Sequence, residues 1–171
     1  MPALFALDQN FPQPIMEGLR DWLEADAELT PIADIHPDMA TLDDWELLLA
    51  LYTDGRAWDG LITTDASMVN LPRELSVLCQ TKLTLVVAMA AGHDPIKATG
   101  LVLAHISNVG QRTRPDRAQV WRLRTQAREA EDPWTHLDRA ARRRGETANE
   151  AFARERLSKS DLSRSPLAGP R

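Results

Sequence analysis

Residues 60–88 read GLITTDASMVNLPRELSVLCQTKLTLVVA, and this stretch decides the fold. Residues 60–64 (GLITT) form a short apolar run that stops at Asp65, and residues 83–88 (LTLVVA) form a second one. Apolar runs of this length without alternation suit strands covered on both faces. The ten residues 72–81 between them read as a helix. Strand, helix and strand in so short a space predict a parallel crossover unit.

The same pattern extends outward in both directions. Residues 3–7 (ALFAL) read as a buried first strand ending at Asp8, broken by Phe11, Pro12 and Pro14. Ile15, Leu19, Trp22 and Leu23 recur at helical spacing, and residues 30–35 (TPIADI) read as a weaker strand. After His36 and Pro37, residues 41–55 predict a helix with Trp45, Leu48, Leu49 and Tyr52 on one face and a stop at Gly55. Asp94 and Pro95 supply an N-cap acid and a first-turn proline for a helix running to about residue 105. Residues 1–110 are therefore expected to form one α/β domain, three layers α/β/α around a central parallel sheet.

Past Val109 the texture changes. Residues 111–117 (QRTRPDR) read as a linker, and residues 115–128 and 133–144 as basic helical stretches with sparse apolar residues. Residues 111–157 are expected to be a basic helical arm, and the Ser-, Pro- and Arg-rich residues 158–171 a disordered tail. Net charge divides the same way. The total of −5 splits into −11 for residues 1–110 and +6 for residues 111–171. Such an arm is either a solvated helical surface or one that contacts a polyanion or the acidic face of a partner.

Composition bounds the rest. The chain has 171 residues, 43% of them hydrophobic, enough for one sizeable core. Its single cysteine, Cys79, forms no internal disulfide, which favours a reducing compartment. The first residues are too short and acidic for a signal peptide, and no apolar run approaches the ~18 residues of a membrane span. A cytoplasmic protein without membrane attachment is expected.

Parallel sheets carry their ligands beyond the carboxyl ends of the strands. Asp8 and Asp65 each follow an apolar strand, and Asp44 starts the helix after Thr41-Leu42-Asp43. Clustered carboxylates repel one another unless a cation or proton sits among them. Oxygen-only ligands suit Mg²⁺ or Mn²⁺, and a metal so held assists phosphodiester hydrolysis. Asn10, Thr64 and Asp43 are candidates to hydrogen-bond the metal's waters or a phosphate. Each acid also has a plain structural role open to it: Asp44 in a capping box, Asp8 and Asp65 in turns.

The segments LFALDQNFP, DDWELLLAL and GLITTD resemble the successive motifs of PIN-like domains, particularly the branch related to VapC-type toxins. The resemblance covers residues 4–106. It implies a parallel sheet flanked by helices and metal-dependent cleavage of single-stranded RNA, with Asp8, Asp44 and Asp65 as catalytic and metal-binding residues. One departure stands out: Ser67 and Met68 occupy places where related sequences put a further acid and an aromatic. Asp43 and Asp59 are substitutes for that acid, although Asp59 precedes its strand.

A Mg²⁺- or Mn²⁺-dependent ribonuclease, of toxin–antitoxin type, is thus the leading expectation. Arg112, Arg114, Arg117, Arg122 and Arg124 are its candidate phosphate contacts. An inhibitor protein or a homodimer is the further partner this implies. The alternative is a degenerate PIN-like module that binds a protein through the C-terminal arm. A phosphoacceptor domain ranks last, because Asp8 has Asn10 rather than a second acid beside it and no lysine follows LTLVVA until Lys97.

Overall fold

A computed structural model describes residues 1–9, 11, 26–89, 94–125 and 129–167 of the chain. Five strands, β1 (Ala3–Leu7), β2 (Ala27–Pro31), β3 (Gly60–Thr63), β4 (Thr84–Ala88) and β5 (Gln119–Leu123), form one all-parallel sheet in the order β2-β1-β3-β4-β5. Seven α-helices surround it among the described residues. They are α1 (Ile32–Ile35), α2 (Asp44–Thr53), α3 (Pro72–Thr81), α4 (Pro95–Arg112), α5 (Pro133–Arg142), α6 (Ala148–Glu155) and α7 (Lys159–Leu162). Single 3₁₀ turns occupy Pro37–Thr41 and Ala66–Val69. The expected three-layer α/β/α architecture is what the chain adopts. None of the described helices is long and apolar enough to cross a membrane.

Strand alternation divides the core in two. Ala6, Leu61, Leu85, Val87 and Val120 meet α2 and α3 on one face, through Leu47, Leu48, Leu51, Val77 and Leu78. Phe5, Leu7, Ile62, Val86, Trp121 and Leu123 meet α4 on the other, through Ala98, Val102, Ile106 and Val109. Gly60 opens β3 where nothing larger fits, since a Cβ there would lie 1.9 Å from the Thr84 carbonyl oxygen. Asp94 caps α4 by accepting from the N–H groups of Ile96 and Lys97, both at 3.1 Å.

Four expectations are corrected. Residues 30–35 are not one strand: β2 occupies Ala27–Pro31, and Ile32 begins a helical turn. The helix expected to end near residue 105 continues to Arg112. The helical stretch expected at residues 115–128 contains strand β5, paired in register from Thr84↔Gln119 to Ala88↔Leu123. Val120 and Leu123, three apart, mimic helical spacing, yet Trp121 between them is just as buried, as a strand covered on both faces requires. The segment 158–171, expected to be disordered, carries α7, capped by Ser158, and Leu162 and Leu167 pack on the core. The helix expected over residues 15–23 and the last residues, 168–171, lie outside the described residues.

The division at residue 110 falls with the strand assignment. β5 completes the sheet, and α5 and α6 cover α3 through Leu75, Leu137, Ala140, Ala141, Ala148 and Ala151. Trp134 and Phe152 pack at their rim with centroids 5.4 Å apart. The outer edge of β5 is closed where Val120 and Glu131 exchange backbone hydrogen bonds of 2.8 and 2.7 Å. An edge so blocked cannot template pairing with another chain at that point. The positive charge of residues 111–171 therefore decorates an integral wall of the domain.

Candidate functional site

The strand order reverses direction between β1 and β3, and ligand sites of open parallel sheets sit at the carboxyl end of such a switch. Asp8 immediately follows β1, and Asp65 lies two residues beyond β3, on the two sides of that switch. The β1–β3 register sets Phe5, Ala6 and Leu7 opposite Gly60, Leu61 and Ile62, so Asp8 comes level with Thr63. The Asp8 N–H donates to the Ile62 carbonyl at 2.9 Å, holding that alignment past the strand end.

Asp8 is 6% exposed, and its carboxylate is satisfied from two sides. Oδ1 accepts the Gln9 N–H at 2.7 Å, and Oδ2 accepts the Thr63 hydroxyl at 2.8 Å. The same Thr63 oxygen accepts the Asp65 N–H at 3.0 Å. One hydroxyl thus joins the two strand-end acids. Asp65 Oδ1 in turn accepts the Ser67 N–H at 2.8 Å and caps the 3₁₀ turn.

Asp44 is the first residue of α2, and the N-cap is Asp43. Glu46 Oε2 accepts the Asp43 N–H at 2.9 Å, so the capping box uses Asp43 and Glu46 and leaves Asp44 out of it. Asp43 thus takes part in closing the amino end of α2. Burial, then the charges of Asp65 and Asp8, push the Asp44 carboxyl up to about 6, with Glu74 and Asp43 adding to the repulsion. The three predicted acids share one electrostatic neighbourhood.

Two functional residues escape the sequence reading. Thr63, rather than Thr64, holds the acids, because alternation puts Thr63 on the face of Ala6, Leu61 and α2. Glu74, in the first turn of α3, is half-buried and shifted up by that burial, and it faces Asp44 closely enough to repel it. Nothing in the sequence separates Glu74 from an ordinary acid at a helix start. The position of Met68 is filled for packing: it is 1% exposed in the core, while Ser67 is exposed. Asn10 lies outside the described residues. Asp59 sits before β3, at the other end of the sheet, where its Oδ2 accepts the Leu4 N–H at 2.7 Å.

The predicted arginines are mostly misplaced. Arg112 ends α4, and Arg114 and Arg117 precede β5, so all three lie at the amino end of the strands, opposite Asp8 and Asp65. Arg122 is held by Glu131 through Nε at 2.6 Å and Nη2 at 2.8 Å. Burial alone would raise the Glu131 carboxyl, but Arg122 and His136 hold it below its usual range. Only Arg124 lies just past the carboxyl end of β5, its carbonyl accepting from His105 Nε2 at 2.7 Å.

The donor set at the acids is all oxygen, the chemistry of a hard divalent cation. Among the described residues, the Asp44 carboxylate has no hydrogen-bond partner, and burial, then the charges of Asp65 and Asp8, disfavour its ionised form. No three His, Cys, Asp or Glu side chains among these residues already stand together as a ready-made metal site. No family model, no curated protein and no solved structure matches the chain.

Proposed function

We propose that the chain is a Mg²⁺- or Mn²⁺-dependent endoribonuclease of PIN-like type that hydrolyses phosphodiesters in single-stranded RNA. One observation supports the reading: Asp8 and Asp65 follow neighbouring strands at the β1–β3 switch, joined through the Thr63 hydroxyl, and Asp44 lies near enough for both charges to raise its carboxyl. Carboxylates kept in mutual repulsion reduce stability, and function sites are where such strain is held.

Asp8, Asp44 and Asp65 would hold the cation, directly or through its waters. When bound, the ion supplies an acidified water and offsets charge on the phosphate oxygens. The residues of the chain do the positioning. Thr63 and the Gln9 N–H fix the orientation of the Asp8 carboxylate. The Ser67 N–H engages only one oxygen of Asp65. Hydrolysis adds a water oxygen to phosphorus and breaks one P–O ester bond. The carboxylate set takes up one water proton, and the leaving oxygen gains another.

The test is cleavage of a labelled single-stranded oligoribonucleotide by the full chain with Mn²⁺, with Mg²⁺ and with chelator. Metal-dependent cleavage that drops at least about 100-fold in Asp8→Asn and in Asp65→Asn supports the assignment. Cleavage that survives chelation, or is unchanged in the Asp8→Asn/Asp65→Asn double variant, refutes it.

A further inference from the structure

The acidic site repels the phosphates it is proposed to act on, so a cationic surface must border it, and the arginines nominated from sequence, Arg124 apart, are at the wrong end or already paired. The structure supplies another set. Arg143, the C-cap of α5, donates through Nη1 to Asn70 Oδ1 at 3.1 Å. Asn70 directly follows the 3₁₀ turn that Asp65 caps, and a turn of four residues spans only about 8 Å. The α5 end is thereby fastened beside the acids.

Arg139, Arg142, Arg143 and Arg144 cluster there, and all four are exposed. Asp138 neutralises Arg142 at 2.8 Å. Among the described residues, Arg139 and Arg144 have no ion pair, and Arg143 has only the neutral Asn70. A helix C-terminus carries about half a negative charge, so it offsets only a fraction of three cations. We infer that Arg139, Arg143 and Arg144, with Arg142 beside them, form a phosphate-binding rim that guides a single RNA strand past Asn70 to the acids. The inference takes its ligand from the ribonuclease reading above. The excess charge at the α5 end does not depend on that reading.

Binding of a fluorescently labelled oligouridylate to the full chain is measured in chelator across a salt series, so that no cleavage enters. The variants are Arg139→Ala/Arg143→Ala/Arg144→Ala, the same triple to Lys, and Arg112→Ala/Arg114→Ala/Arg117→Ala at the opposite end. Each single-strand phosphate contact contributes about 0.7 to the slope of log K against log salt. The rim Ala triple is expected to lower the slope by about 2 and to weaken binding at least 10-fold. The rim Lys triple is expected to keep the slope, and the opposite triple to leave it unchanged. A slope unaltered by the rim Ala triple, an equal loss in both Ala triples, or no binding of the wild-type chain overturns the rim. Rim-dependent binding without metal-dependent cleavage keeps the rim and removes the nuclease. Cleavage that is indifferent to the rim does the reverse.

Discussion

The Thr63 hydroxyl donates to Asp8 Oδ2 at 2.8 Å while accepting the Asp65 N–H at 3.0 Å, so one buried oxygen couples the ends of β1 and β3. Asp8 is the more dependent partner, being almost wholly buried. Thr63→Val keeps the shape and deletes the donor. The expected cost in urea unfolding is about 1–3 kcal/mol, because a buried carboxylate oxygen loses one hydrogen-bond donor. Thr64→Val is expected to stay within about 0.5 kcal/mol. Equal costs at the two positions would assign the coupling to strand propensity instead.

Asp44 gives a pH signature. Its carboxyl is raised from 3.8 to about 6 by burial and by Asp65 and Asp8. Its protonated form is therefore favoured by folding. The stability this confers is fully present below pH 3.8 and is lost as pH rises through about 6. Asp44→Asn mimics the protonated state at every pH. Asp44 is half-exposed, so screening reduces the full linkage value to about 1 kcal/mol. The variant is expected to be more stable than wild type by that amount at pH 8 and equal to it near pH 4, read by thermal melting across the range. A variant less stable than wild type at pH 8 contradicts the repulsive site.

Asp65 has two separable roles, in the cap and in the acidic cluster. Asn caps a helical turn about as well as Asp, whereas Ala does not. Asp65→Asn is expected to retain or raise the melting temperature, and Asp65→Ala to lose about 1 kcal/mol. Mn²⁺ is expected to raise the melting temperature of the wild type and of neither variant. A Mn²⁺ response as large in Asp65→Asn as in the wild type would remove Asp65 from the cation site.

Lys82 ends α3 in the left-handed region, at φ 58°, its N–H bonded to the Leu78 carbonyl at 3.0 Å. A side chain adds strain there that glycine avoids. Lys82→Gly is expected to stabilise the chain by about 0.5–1 kcal/mol without altering RNA cleavage, since Lys82 precedes β4 at the end of the sheet remote from the acids. Urea unfolding of the variant measures it, and a destabilised Lys82→Gly contradicts the strain.

The sequence announces whatever is encoded in a few neighbouring residues. Strands β1, β3 and β4 are legible because burial on both faces turns them into apolar runs, and the strand-end rule then picks out Asp8 and Asp65. β2 is half hidden, since Glu28 is exposed between the buried Ala27 and Leu29, and Ile32 continues the apolar pattern into a helix. Thr63 is distinguished from Thr64 only by register against β1. Asp43 and Asp44 are both chemically able to cap, and which of them does so depends on where the helix begins. Glu74 becomes part of the site only when α3 packs beside α2.

The last prediction concerns residues 111–171, whose composition reads as an appendage and whose packing is that of a core element. If they were an arm, a chain ending at residue 113 would fold and merely bind polyanions less. In the structure that chain lacks β5, so β4 loses one of its two neighbours in the sheet. Val120, Trp121 and Leu123, all at 0% exposure, would be removed from both faces of the sheet. Burying side chains of this size contributes about 1.5–3 kcal/mol each, comparable in sum with the whole stability of an ordinary domain. The truncated chain is therefore expected to be unfolded or aggregated, with no cooperative thermal transition. Trp121→Ala in the full chain is expected to cost about 3–5 kcal/mol while preserving every arginine. Circular dichroism melting of both proteins decides the matter. A truncated chain that melts cooperatively would restore the arm, and the salt dependence of RNA binding would then have to be tested on that shorter protein.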